Sequence, residues 1–139
     1  MKKTVCIILV FTFILMFAGC GIKNKTANVK ISLGESEIFS LEDRQKAADC
    51  IVDSFKHNKN ITVLSNVYYA GDEKSAQTRQ NYAASENSEY DEMIVFMVSF
   101  HTSKKASSEG FNPDEDYSGY LQIYGRSSGG EWKYTDGGY

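Results

Sequence analysis

From residue 40 onward, apolar side chains return every three or four positions. Leu41, Ala47, Ala48, Ile51, Val52 and Phe55 form one stripe, while Glu42, Lys46, Asp49, Asp53 and Lys56 fall on the opposite side. The pattern predicts an amphipathic helix lying on a sheet. Ser40 supplies its cap, Glu42 and Asp43 the first-turn acid, and Lys56, His57 and Lys59 the positive charge at its end, where Asn58 can terminate it. The period then shifts, and residues 61–69, rich in Val, Ile, Leu and Tyr, predict a strand closed by Gly71-Asp72. Residues 73–84 are polar apart from three alanines and Tyr82 and predict a weaker helix capped by Asp72. Residues 93–100 are almost continuously apolar, which suits a central strand covered on both faces. A loop over 102–116 carries the only proline, Pro113. Strands at 117–126 and 131–136 follow, joined by Ser127-Ser128-Gly129-Gly130. This order gives an α+β fold, a two-layer sandwich with one or two helices on a four-stranded mixed or mostly antiparallel sheet, in a single domain over 38–139.

Upstream, residues 20–37 hold only scattered Ile22, Val29, Ile31 and Leu33 and read as a flexible tether, although 29–33 alternate as a short edge strand would. Before them, Lys2 and Lys3 precede an apolar run from Val5 to Phe17 broken only by Thr12. The run falls short of the roughly 20 residues of a membrane span and has the layout of an export signal. Phe17-Ala18-Gly19-Cys20 resembles the bacterial lipobox, with Phe17 where leucine is usual. The resemblance implies that residues 1–19 are a signal peptide, that Cys20 receives diacylglycerol, and that the body is held on the extracytoplasmic face of the cell membrane.

Charge and cysteine content narrow the function classes. Without residues 1–19 the chain has thirteen basic and eighteen acidic side chains, a balance of about −5. That argues against nucleic acid and against polybasic docking on lipid. With Cys6 in the leader and Cys20 as the lipid site, Cys50 is alone in the body, so ordinary core burial must stabilise it.

The constellations that could carry chemistry are weak. Cys50 and His57 are two helical turns apart, about 10 Å, too far for a thiol–imidazole pair. His101 and His57 have no carboxylates at metal-ligand spacing in sequence. Asp114, Asp116, Ser118 and Gly119 begin like an EF-hand calcium loop, but the twelfth position is Gly125 rather than an acid. No catalytic residue, metal set or cofactor motif follows from the spacing.

The aromatic side chains suggest a surface instead. A four-residue turn places Gly125 opposite Trp132 and Ile123 opposite Tyr134, which makes that face core and turns Tyr120, Gln122, Tyr124 and Lys133 outward. Tyrosines beside amide and charged groups suit an envelope protein or a glycan. The element order, the Asn112-Pro113 loop before an aromatic strand, and the ending Gly129-Gly130-Glu131-Trp132-Lys133 through Gly137-Gly138-Tyr139 resemble small Firmicutes lipoproteins of unknown function. The expectation is a lipid-anchored, non-enzymatic binding domain at the cell envelope. The alternatives are a small envelope hydrolase whose site assembles only in three dimensions, and an immunity or inhibitor lipoprotein.

Overall fold

Helix α1 spans Leu41–His57, with the Ser40 hydroxyl accepting from the Asp43 amide and the Asn58 amide closing the other end on the Phe55 and Ser54 carbonyls. Its buried side chains are Arg44, Ala47, Ala48, Ile51 and Phe55. Leu41, expected in the stripe, is instead 62% exposed. The stripe begins at Arg44, whose guanidinium donates to the carbonyls of Leu33 (2.7 Å) and Gly34 and fastens the incoming chain to the helix.

The computed structural model describes residues 24–85 and 89–139, so the leader and Cys20 lie outside the described residues. Strands β1 (Lys30–Ser32), β2 (Ile61–Tyr69), β3 (Glu92–Thr102), β4 (Asp116–Arg126) and β5 (Lys133–Gly138) form one sheet in sequential order. β1 runs parallel to β2, with α1 as the crossover, and the remaining pairs are antiparallel. This is the expected α+β sandwich with a fifth strand added at the edge. The added strand comes from the stretch read as tether. From residue 24 on, that stretch belongs to the domain: the Leu64 amide donates to the Lys25 carbonyl, Lys25 Nζ to the Asn58 carbonyl at 2.6 Å, and Ser36 Oγ to Asp72 at 2.5 Å. Backbone and polar contacts hold it, and hydrophobic density in the sequence does not report those.

α1 lies over β2 and β3, and α2 (Asp72–Ala83) packs on the other face against β3. The main core is on the α1 side, where Ile51, Phe55, Leu64, Val67, Phe96, Val98, Phe100, Tyr124 and Trp132 pack together. A smaller cluster of Met93, Val95 and Ile123 lies on the α2 side, with Ala70, Leu121 and Tyr82 against it. α2 has no apolar stripe because it meets the sheet through small side chains. Ser75 and Thr78 are buried, and Ser75 Oγ accepts from the Val95 amide at 3.1 Å. Asp72, expected as its cap, instead accepts from Ser36, from Tyr69 (2.7 Å) and from the Glu37 amide (2.8 Å), with Gly71 at the cap position.

Gly125 illustrates how tightly the sheet is covered. Sequence parity placed the Trp132 indole over this glycine, but the Tyr90 ring occupies the space instead, and a Cβ at Gly125 would overlap Tyr90 Cγ and Cδ2. Neither atom is at the free end of a side chain, so the ring as a whole must move. Gly125→Ala is expected to cost about 1–3 kcal/mol by overpacking, read as a lower denaturation midpoint at unchanged slope.

Candidate binding cleft

Because α1 sits over β2 and β3, β4 and β5 extend beyond the helix, leaving a cleft of about 350 Å³ between its C-terminal half and the last two strands. Ser54, Phe55 and Asn58 form the helix wall, Tyr120, Gln122 and Tyr134 the sheet wall, and Ile61 and Phe111 the end. None of these side chains carries a charge. Such a lining, rings with a few amide and hydroxyl groups, is what a neutral polar ligand requires.

The rings are held in place by their neighbours. Phe100 stacks on Tyr117 with centroids 5.0 Å apart and planes 5° from parallel. Tyr120 stands edge-on to Phe100 and Phe111, both at 5.6 Å, and Tyr139 stands edge-on to Tyr120 at 5.4 Å. Tyr117 Oη accepts from the Asn112 amide at 2.9 Å, fixing the loop that delivers Phe111. Gly137 admits the polar groups of the sheet wall. A Cβ there would stand 2.9 Å from Tyr134 Oη and 3.1 Å from Gln122 Nε2, so only a glycine lets both approach β5 this closely.

The four residues expected to face outward are divided by the actual register. Gly125 pairs with Lys133 and Tyr124 with Tyr134, one position away from the expected pairing, and an irregularity between Ile123 and Tyr124 follows. The connection is longer than a four-residue turn because β5 begins at Lys133, not at Glu131. The faces are therefore exchanged. Tyr120, Gln122 and Tyr124 lie on the α1 side with Trp132 and Tyr134, while Ile123 faces α2. Tyr124 is 3% exposed and Gln122 5%, so neither forms an open surface. Tyr120 is half-buried, and burial raises its hydroxyl pKa, with Asp136, Tyr139 and Tyr117 adding to the effect. Lys133 is exposed and its parity puts it on the opposite side, away from the cleft. Tyr134, read as core, is 55% exposed at the lip.

Compared with known proteins, the chain matches no family model, no curated protein and no solved structure.

The other candidate groups lie elsewhere. Cys50 is half-buried with Sγ 4.0 Å from the Trp132 carbonyl, and burial, then Asp49, Glu131 and Asp53, pushes its thiol pKa up. His57 turns back onto its own helix, with Nδ1 2.8 Å from the Asp53 carbonyl. A thiol so placed stays protonated at neutral pH. Cys50→Ser is expected to cost less than about 1 kcal/mol, and the native thiol should alkylate slowly until the protein is unfolded. His101 has carboxylate neighbours that its sequence context did not reveal. Its Nδ1 lies 2.8 Å from Asp116 and its Nε2 3.1 Å from Asp114, and these two, Asp116 first, raise its pKa above the ordinary value. Residues 116–126 form β4, so Asp114 and Asp116 converge on an imidazole, and Ser118 Oγ lies 3.4 Å from Ser99 Oγ. Among the described residues no group of three or more His, Cys, Asp and Glu side chains could hold a metal ion.

Proposed function

We propose that this chain is a lipid-anchored, extracytoplasmic binding domain of the bacterial cell envelope, non-enzymatic, which takes a neutral glycan segment in the cleft between α1 and β4–β5. The observation that carries the reading is the cleft lining. The Tyr120, Phe111 and Tyr134 rings can lie against the apolar faces of a sugar, and Gln122, Asn58 and Ser54 can pair with its hydroxyls. An acidic protein partner is poorly matched, since nothing charged lines the walls. Attachment through diacylglycerol on Cys20 is supported by the small residues Ala18-Gly19 directly after the apolar run.

Titration of the purified chain with envelope glycan fragments tests the ligand. Tyr134→Ala, at the exposed lip, should weaken binding about tenfold, or about 1.4 kcal/mol, with an unchanged melting temperature. Indifference of both proteins to every fragment, together with capture of an envelope protein that Tyr134→Ala abolishes, would replace the glycan with a protein partner. The anchor is tested separately. Cys20→Ala should accumulate as unprocessed precursor, and mass spectrometry should find two acyl chains on the Cys20 sulfur of the wild type.

A further inference from the structure

Asn24 and Lys25 lie close in sequence to the proposed lipid site at Cys20, and the place where they join the domain, with the charge around it, bears on which end would face a membrane. Asn24 and Lys25 are attached at the C-terminal end of α1, where Lys25 Nζ donates to the Asn58 carbonyl at 2.6 Å. The same end collects four more lysines from distant parts of the chain. Lys56 and Lys59 flank the helix terminus, and the Ser103 amide donates to the Asn60 carbonyl at 2.7 Å, which brings Lys104 and Lys105 alongside. All four are exposed. Asp53, Asp114, Glu115 and Asp116 lie at the same end and offset part of this charge, with Asp114 and Asp116 bracketing His101.

From this geometry we infer that the lysine-rich end around Asn58 rests on an anionic bilayer surface, so that the cleft opens at headgroup level. The inference rests on the Cys20 anchor proposed above. Four residue steps separate Cys20 from Asn24, and they span at most about 14 Å, so the anchor holds the Lys25 end of the domain near the surface. Which end meets the lipid is decided by charge. The chain beyond residue 19 has a balance of about −5, so an anionic surface repels the rest of the body and attracts the lysine end, within a screening length of about 10 Å. The opposite end, where Asp43 begins α1 and Ser128 sits in the β4–β5 turn, is about 20 Å away along the helix axis.

The test uses the full chain, purified from bacterial membranes and placed in nanodiscs of phosphatidylcholine with phosphatidylglycerol. Gadolinium on the lipid headgroups broadens amide signals by proximity. Broadening at Lys59 and Lys104 should exceed that at Ser128 several-fold, and the contrast should fade in high salt and in the combined Lys56→Gln, Lys59→Gln, Lys104→Gln, Lys105→Gln variant. Equal broadening at both ends in protein whose Cys20 carries lipid would overturn the inference and leave the anchor standing. A contrast that survives charge removal, or is as strong on phosphatidylcholine alone, would overturn it too, since the tether alone would then orient the domain. The expected contrast in protein without lipid on Cys20 would uphold the basic surface and refute the anchor.

Discussion

Tyr124→Ala lowers the free energy of unfolding by about 3–5 kcal/mol, whereas Tyr134→Ala, directly across the strand pair, costs less than about 1 kcal/mol. The two rings touch edge-on, with centroids 5.8 Å apart, yet they occupy different environments. Tyr124 is in the main core with Phe39, Ala47 and Trp132, and burial holds its hydroxyl pKa up at about 12. Deleting that ring opens a cavity that the sheet backbone cannot close. Urea denaturation of the two variants checks the contrast. It also decides the register, since a stable Tyr124→Ala beside a destabilised Tyr134→Ala would mean the faces are reversed. The combined Tyr120→Ala, Tyr124→Ala variant is accordingly expected to lose fold along with ligand, which makes Tyr134 the better probe of the cleft.

Arg126→Ala is the second large loss, about 3 kcal/mol, with Arg126→Met costing less. Arg126 is 9% exposed and joins three elements. Its Nη1 donates to Asp43 at 2.7 Å on the first turn of α1, and its Nε donates to Glu92 at 2.7 Å at the start of β3. Its guanidinium carbon lies 4.2 Å from the Trp132 ring centroid. Truncation strands two carboxylates against each other and uncovers the indole. Both are partly solvated, so the loss should fall toward the low end of the range for a broken buried pair. Methionine forfeits the charge and its hydrogen bonds to Asp43 and Glu92 but keeps the packing over Trp132. The same contact gives the fold an acid limit. The Arg126 guanidinium, followed by the Ser40 hydroxyl, holds the Asp43 carboxyl below its ordinary pKa against the opposing effect of burial. A carboxylate with a depressed folded pKa contributes stability that is complete above its unfolded value of about 3.9 and is lost as pH falls through the lower folded value. Stability measured through that window should fall less steeply in Asp43→Asn than in the wild type.

The fold was legible wherever a periodic apolar pattern coincided with an end signal. α1 has the expected stripe from Ala47 to Phe55 and the expected Ser40 cap, and β2 has the expected bounds. These features depend on neighbours within one or two turns of chain, and side-chain order along the chain specifies such neighbours directly. β1 was at the edge of legibility, because three residues of alternating pattern acquire their meaning only when β2 offers an open parallel edge. Arg44 stands one turn before Ala47 and Ala48 on the buried face, where its charge hid it from an apolar pattern. Arg126 carried no such mark, since its carboxylate partners lie 83 and 34 positions away.

The cleft depended on a quantity that local pattern does not contain. Because strand side chains alternate with period two, a difference of one position in the β4–β5 pairing moves every residue to the other face. The sequence of the turn allowed both pairings. The tertiary structure selects the one in which Tyr124 and Trp132 enter the core beside Phe39, Arg126 covers the indole, and Tyr90 covers Gly125. These contacts reach the β4–β5 hairpin from α1, from the segment before it and from the loop before β3. They outweigh the few local hydrogen bonds of a tight turn, so packing rather than turn chemistry determines which tyrosines are core and which line the cleft.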